Sequence, residues 1–352
     1  MGVTGTAVEF RGDGASHLVE RELGDPGPGE LLIAPQAVGI CATDREICDG
    51  SMAYYRLGMA QYPIVPGHEW AGEVAAVGPG VEGFAVADRV VGECSVGDGV
   101  CERCRAGRYH LCRGRTETGV MNRDGGMAEW LLFPARSAFK VPSGLPAAAA
   151  ALVEPAAVGL NAAYAAGAGT GERVLVVGAG TIGLLAMQAA RALGAARVVV
   201  ADPVAQRLER AEALGADAVV HVSDGLDPAG EPELGDDAID CVVEASGHPE
   251  GVALALAGVK PAGRVGVVSL YGRPQVDVDL DLVVTKDIHL QGALGSPGRW
   301  PATLDLLASG EMRADPLITS RFGLRELDGA LERLRAGDPH ELKVIVDPTS
   351  ER

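Results

Sequence analysis

The sequence predicts an α/β protein: a doubly wound parallel sheet joined to a second, β-rich domain. Three observations carry this expectation. The 352 residues exceed what one ordinary core encloses, so two domains are expected. Up to about residue 141 the chain shows many short strand-like runs without helical periodicity. From Ala147 onward, strands and helices alternate, which is the pattern of a parallel sheet with helical crossovers.

The early elements are short. Strand-like pieces fill the first thirty residues around a Pro/Gly turn, and Leu31 to Ile40 reads as a further strand. A polar, helix-competent segment runs from Cys41 to about Gly50. A proline-bounded loop and an alternating strand occupy 61–78, another turn and strand 81–92, and two short strands 125–141. Cysteines crowd between Cys94 and Cys112. Together these describe a partly open, barrel-like β domain.

The second part is organised around Val174-Leu175-Val176-Val177, an apolar run suited to a strand buried on both faces. Gly178-Ala179-Gly180-Thr181-Ile182-Gly183 follows, a G-x-G-x-x-G turn. A helical run then extends to Leu193, and Gly194 is a fitting stop. A second β-branched run ends at Asp202, nineteen residues after Gly183. This strand–turn–helix–strand unit suits a dinucleotide: the turn lets backbone approach a pyrophosphate at the positive helix N-terminus. Asp202 is placed to accept from a ribose diol and to repel a 2′-phosphate, which favours NAD over NADP. Further strands are expected at 218–222, 239–244, 264–269 and 288–293, with helices at 300–309 and 324–336. A last strand at 343–346 has no place in the nucleotide sheet, so the tail is expected to return to the first domain.

Charge and composition exclude several functions. The net charge of −18 with no basic cluster argues against nucleic acid and anionic membrane surfaces. Lysine occurs only four times, and arginine supplies most of the positive charge. The alanine-rich stretch 146–169 is interrupted by Glu154, Pro155 and Asn161, so it does not read as a membrane span. No charged and apolar leader opens the chain, so a cytoplasmic location is expected. Seven cysteines then read as metal ligands and free thiols rather than disulfides.

Spacing alone would not join Cys41, His68 and Glu154. The motifs VGICATD, PIVPGHEWAGEV, CERCRAGRYHLC, LVEPAAVGLNA, VLVVGAGTIG and EASG, in this order, resemble the zinc-dependent medium-chain dehydrogenase/reductase superfamily. The resemblance covers essentially the whole chain. Glu154, where much of the superfamily has cysteine, resembles the polyol (sorbitol-like) and threonine dehydrogenase branch, and PGHEW with EPAAVGLNA resembles aminocyclitol dehydrogenases. It implies a GroES-like catalytic domain over 1–155 and 294–352 and a Rossmann NAD-binding domain over 156–293. It also implies Cys41, His68 and Glu154 as catalytic zinc ligands with a fourth position open. Thr43 would bond the substrate oxygen and start a proton relay, and Asp44 would orient His68. Glu69 would lie beside the zinc. The relay position usually held by histidine is Glu46, which leaves either Glu46 or water as the base. Arg207 would flank the adenine.

The cysteine lobe departs from the family spacing C-x2-C-x2-C-x7-C. Cys101, Cys104 and Cys112 keep the last three positions, while the first falls on Asp98. Asp98 or Cys94 could complete a structural zinc site, or the site could be vacant; Asp98 is favoured because its register needs no gap. Tyr54, in a polar segment with Tyr55 and Arg56, and Arg299, in GSPGRW, suit a polyhydroxylated secondary alcohol. The reading is therefore a zinc- and NAD-dependent polyol, sugar or cyclitol dehydrogenase, expected as a homodimer or homotetramer. The alternatives are a threonine-type amino-alcohol dehydrogenase and a non-catalytic NAD-binding protein.

Overall fold

The computed structural model describes residues 2–222, 230–235, 237–272 and 275–349. The chain divides into two compact units. One comprises Met1–Glu154, Trp300–Ala308 and Ala314–Arg352; the other comprises Pro155–Arg299 and Ser309–Arg313.

The first unit holds the strands β1 (Val3–Phe10), β2 (Ser16–Leu23), β3 (Glu30–Ile40), β4 (Glu69–Val77), β5 (Arg89–Gly92), β6 (Ser95–Val96), β7 (Thr116–Thr118), β8 (Asn122–Arg123), β9 (Leu131–Pro134) and β10 (Ala138–Lys140). β1 and β2 form a hairpin, and β6, β7 and β8 form a small three-stranded sheet. The main sheet is built on β3, whose 11 residues are mostly buried. β4 pairs along nearly its whole length. β9 pairs with its first four residues. Its last residues, Val38 to Ile40, pair with a strand from the far end of the chain, Lys343–Asp347. The tail thus returns to the first unit, as the sequence indicates. Its run Lys343-Val344-Ile345-Val346 is fully buried, and apolar residues so uniform need a sheet covered on both faces. A neighbouring strand, β17 (Ile318–Gly323), pairs with this tail strand, β18 (Lys343–Asp347), and completes this edge. The core is closed by Trp70 and Phe133, packed edge to face at 4.9 Å, with Phe10, Ile33, Ile40 and Met127 around them.

The second unit contains β11 (Arg173–Val177), β12 (Arg197–Asp202), β13 (Ala218–His221), β14 (Cys241–Glu244), β15 (Arg264–Val267) and β16 (His289–Gly292). All pair in parallel in the order β13-β12-β11-β14-β15-β16. The order reverses direction between β11 and β14, which is where such sheets open a ligand crevice beyond the strand ends. The expected strands are present; those expected at 218–222, 239–244, 264–269 and 288–293 are each shorter by one or two residues. β16 is an edge strand with every residue exposed.

The glycine turn after β11 has a steric reason. The helix Thr181–Ala192 begins immediately after Gly180 and packs so closely that a β-carbon on Gly183 would lie 1.8 Å from the Gly178 carbonyl oxygen. Nothing lies within 4 Å of the same position on Gly180, which leaves room there for a ligand. Gly183→Ala is therefore expected to lower stability by about 1–3 kcal/mol and to weaken dinucleotide binding. A variant with unchanged thermal midpoint and unchanged NADH fluorescence titration would overturn this account.

Candidate functional site

The first site lies where β3 ends and β4 begins. Cys41 is the cap of the helix Ala42–Cys48, and its backbone N–H donates to Asp44 Oδ2 at 2.8 Å. The other oxygen of Asp44 accepts from Gly67 N–H at 3.2 Å and lies 3.7 Å from His68 Nδ1. Asp44 is fully buried. It thus ties the Cys41 segment to the His68 segment across a wide gap in sequence. At 3.7 Å the His68 contact is ionic but too long for a hydrogen bond, so among the described residues buried Nδ1 has no hydrogen-bond partner. Burial alone would depress the His68 pKa; the Asp44 carboxylate and the Cys41 thiol outweigh it and hold the pKa well above the usual value.

Cys41, His68 and Glu69 bring one donor atom each within 4.8 Å of one another. Glu154 does not belong to that compact set. Glu69, which the resemblance places beside the metal, does belong to it, and the physical reason is visible. Glu69 is drawn to this point by Lys343, whose ammonium donates to both carboxylate oxygens, at 2.7 and 2.8 Å, and to the Ile40 carbonyl at 3.1 Å. Burial would lower the Lys343 pKa, but Glu69 and Cys41 raise it. Gly39 leaves space for the arrangement, since a β-carbon there would lie 2.0 Å from Glu69 Oε2. Glu154, at the start of the helix Val153–Ala166, is buried nearby; burial pushes its carboxyl up to about 7, while the charge of His68 pulls it down. Thr43 Oγ1 is 3.8 Å from the Cys41 sulfur. Glu46 is on the same helix, and burial raises its carboxyl above the ordinary range, against the pull of Arg45.

The donors fit zinc. A thiol, an imidazole and carboxylates are its usual protein ligands, and a buried imidazole with one unsatisfied nitrogen beside a carboxylate is what orients such a ligand. Lys343 went unnoticed in the sequence. A single lysine opening an otherwise apolar strand, in a chain with only four, was the available signal.

The cysteine lobe is a second cluster in the same unit. Asp98, Cys101, Cys104 and Cys112 bring their donor atoms within 4.8 Å. Cys94 is outside it: its sulfur lies 4.0 Å from the Thr118 carbonyl oxygen, and burial pushes its thiol far up. Asp98, not Cys94, therefore completes the set. Asp98 Oδ1 accepts from the N–H groups of Val100 and Cys101, both at 2.9 Å, and these bonds hold its carboxyl well below the ordinary range. The Cys101 and Cys112 sulfurs are 3.7 Å apart, too far for a disulfide. That separation matches the edge of a tetrahedron with metal–sulfur bonds of about 2.3 Å.

In the second unit, Asp202 is buried and its two oxygens accept from the N–H groups of Ala179, at 2.7 Å, and Val204, at 2.8 Å. It braces the glycine turn as well as facing the strand end. Thr181 and Ile182 open the following helix. Among the described residues buried Arg207 Nε has no hydrogen-bond partner, which leaves it a donor for a ligand. Arg299 belongs to this unit too: its guanidinium stacks 4.0 Å from the Tyr164 ring centroid, and its Nε donates to Asn161 Oδ1 at 3.3 Å. Tyr54 belongs to the first unit, on the short helix Ala53–Arg56. Tyr55 beside it is a packing residue, stacked on Tyr62 at 4.0 Å. The turn and its open position at Gly180 fit a dinucleotide.

Comparison with known proteins agrees with this geometry. Residues 27–143 match the alcohol dehydrogenase GroES-like domain, and residues 181–309 match the zinc-binding dehydrogenase family. The chain is 37% identical to L-threonine 3-dehydrogenase of Pyrococcus abyssi, over 92% of each protein. It is 32% identical to sorbitol dehydrogenase of Bacillus subtilis, over 91% of this chain and 90% of that protein. A zinc-binding dehydrogenase structure from Sinorhizobium meliloti, solved with NADP bound, superposes with a TM-score of 0.90 at 30% identity, covering 98% of this chain and 100% of that one. With two families matched in order and full-length relatives above 30% identity, the chain belongs to the zinc-dependent medium-chain dehydrogenase/reductase superfamily.

Proposed function

We propose that the chain oxidises a secondary alcohol of a polyol, sugar or cyclitol, aminocyclitols included, to the ketone, with NAD as acceptor. The observation that carries this reading is the donor set of half-buried Cys41 with buried His68 and Glu69, and buried Glu154 near it. When bound, zinc supplies Lewis-acid polarisation of the alcohol oxygen and NAD supplies the hydride acceptor. Cys41, His68 and one buried carboxylate hold the metal. Glu69 is already matched by Lys343, so Glu154, whose charged form burial disfavours, gains most from a cation. Asp44 keeps His68 oriented. Thr43 Oγ1 takes the substrate proton, and Glu46 is the base that receives it. Gly178, Gly180 and Gly183 shape the pyrophosphate turn, Thr181 and Ile182 present its helix N-terminus, Asp202 takes the ribose diol and Arg207 flanks the adenine.

A second reading has an observation of its own. Relatives at 35–37% identity are named L-threonine 3-dehydrogenase, which favours an amino alcohol. NAD reduction assayed against inositols, aminocyclitols, sorbitol, xylitol and L-threonine separates the two. Turnover of polyols or cyclitols supports the lead; turnover of threonine alone replaces it.

Two further outcomes follow from the site. Metal analysis of the wild type is expected to give two zinc ions per chain, falling to one in Asp98→Ala; an unchanged content would remove Asp98 from the ligand set. Glu46 acts as a base only when ionised, and its carboxyl is raised. The acid limb of kcat/KM should therefore lie above the ordinary glutamate range, with activity rising as pH climbs through it. In Glu46→Gln that limb should vanish, with a rate loss of about a hundredfold. A pH profile that keeps the limb would assign the base elsewhere.

A further inference from the structure

One polar group near the first donor set has no role in the reaction described above. Arg115 Nε donates to Glu117 Oε1 at 2.8 Å, and the two side chains are only 14% and 9% exposed. Arg115 also reaches Tyr54, with Nη2 3.5 Å from the hydroxyl and the guanidinium carbon 5.8 Å from the ring centroid. Among the described residues no protein donor is bonded to Glu117 Oε2.

Backbone packing sets the turn after Glu117 against the residue that precedes His68. After Glu117 the chain doubles back: Met121 N–H donates to the Glu117 carbonyl at 2.7 Å, and Glu117 N–H donates to the Met121 carbonyl at 2.9 Å. The turn presses Gly119 against Gly67, the residue before His68, so closely that a β-carbon on Gly119 would lie 2.7 Å from the Gly67 carbonyl carbon. The Tyr55 hydroxyl donates to the Val120 carbonyl at 3.0 Å, which brings the Tyr54 helix to the same turn. On the other side, Glu117 pairs with Ser95, and Thr118 N–H donates to the Cys94 carbonyl at 2.8 Å. The charge of Glu117 is felt accordingly: after burial, it adds to the upward shifts at Tyr54 and Cys94.

A buried ion pair is a poor source of stability, because desolvation offsets much of the attraction. What it offers is an oriented acceptor and donor in a place with little water. We propose that Glu117, positioned by Arg115 and Tyr54, is a specificity-determining residue that accepts a hydrogen bond from an O–H or N–H donor on the substrate beyond the alcohol being oxidised. This deepens the substrate class and rests on the dehydrogenase reading.

The test measures kcat and KM of wild type, Glu117→Gln and the double variant Arg115→Met/Glu117→Gln, with erythritol, L-threonine and 2-butanol. The preference for a substrate bearing a second donor, over 2-butanol, should fall about ten- to hundredfold in both variants, mainly through KM. A fall confined to erythritol assigns the donor as hydroxyl, and one confined to threonine assigns it as ammonium. A preference unchanged within about twofold, or lost in the single variant but kept in the double, overturns the proposal, because a lone unpaired arginine would then explain the effect. If Glu117→Gln does not fold, the double variant decides alone. If the wild type oxidises none of the three, the dehydrogenase reading fails separately. Calorimetry of erythritol and of threonine with the zinc- and NADH-loaded proteins then judges Glu117: weaker binding of either in the variants supports it, and equal or absent wild-type binding of both overturns it.

Discussion

Asp44 is a carboxylate with no exposure to water, and it ties together two segments that lie far apart in sequence. One oxygen holds the start of the helix after Cys41; the other holds the backbone of Gly67 and faces His68. A charge this deep is tolerable only when its lone pairs are occupied. The loop ends that carry the thiol and the imidazole are therefore fixed relative to each other before any metal arrives. β3 and β4 supply the frame: Cys41 follows the end of one strand and His68 precedes the start of the other.

The same economy of buried charge governs the carboxylates around that point. Glu69 is matched by Lys343, which comes from the last strand of the chain and also bonds the end of β3. Strand order puts the lysine there, because β18, the strand Lys343–Asp347, lies antiparallel to β3 beside Ile40. Among the described residues no cation is bonded to Glu154, and its carboxyl is raised by burial. The first unit thus holds one satisfied acid and one that a divalent ion would satisfy. The Arg115–Glu117 pair is a third instance, in which the charges neutralise each other but leave one carboxylate oxygen uncommitted.

The cysteine lobe and the glycine turn obey more local rules. Asp98 is placed by two backbone N–H groups of the residues that follow it, so its position relative to Cys101 is fixed within a single turn of chain. That is why spacing alone could favour it over Cys94. The glycine turn is equally self-contained: a strand, a close helix start, and Asp202 reaching back to Ala179.

The sequence by itself determined what depends on near neighbours and periodicity. The alternation after Ala147, the strand–turn–helix unit around 178–183 and the clustering of three closely spaced cysteines each report a local structure, and each is present. The return of the tail was also legible, because an apolar run with no partner in one sheet must find another. Only the tertiary structure decided which buried charges meet. Lys343 and Glu69 are separated by most of the chain, as are Glu117 and the His68 loop in lesser degree, and no periodicity records such a pairing. The place of Glu69 in the compact donor set has the same origin. It follows from where an ammonium from β18 lands on β4, and that depends on strand order rather than on any motif.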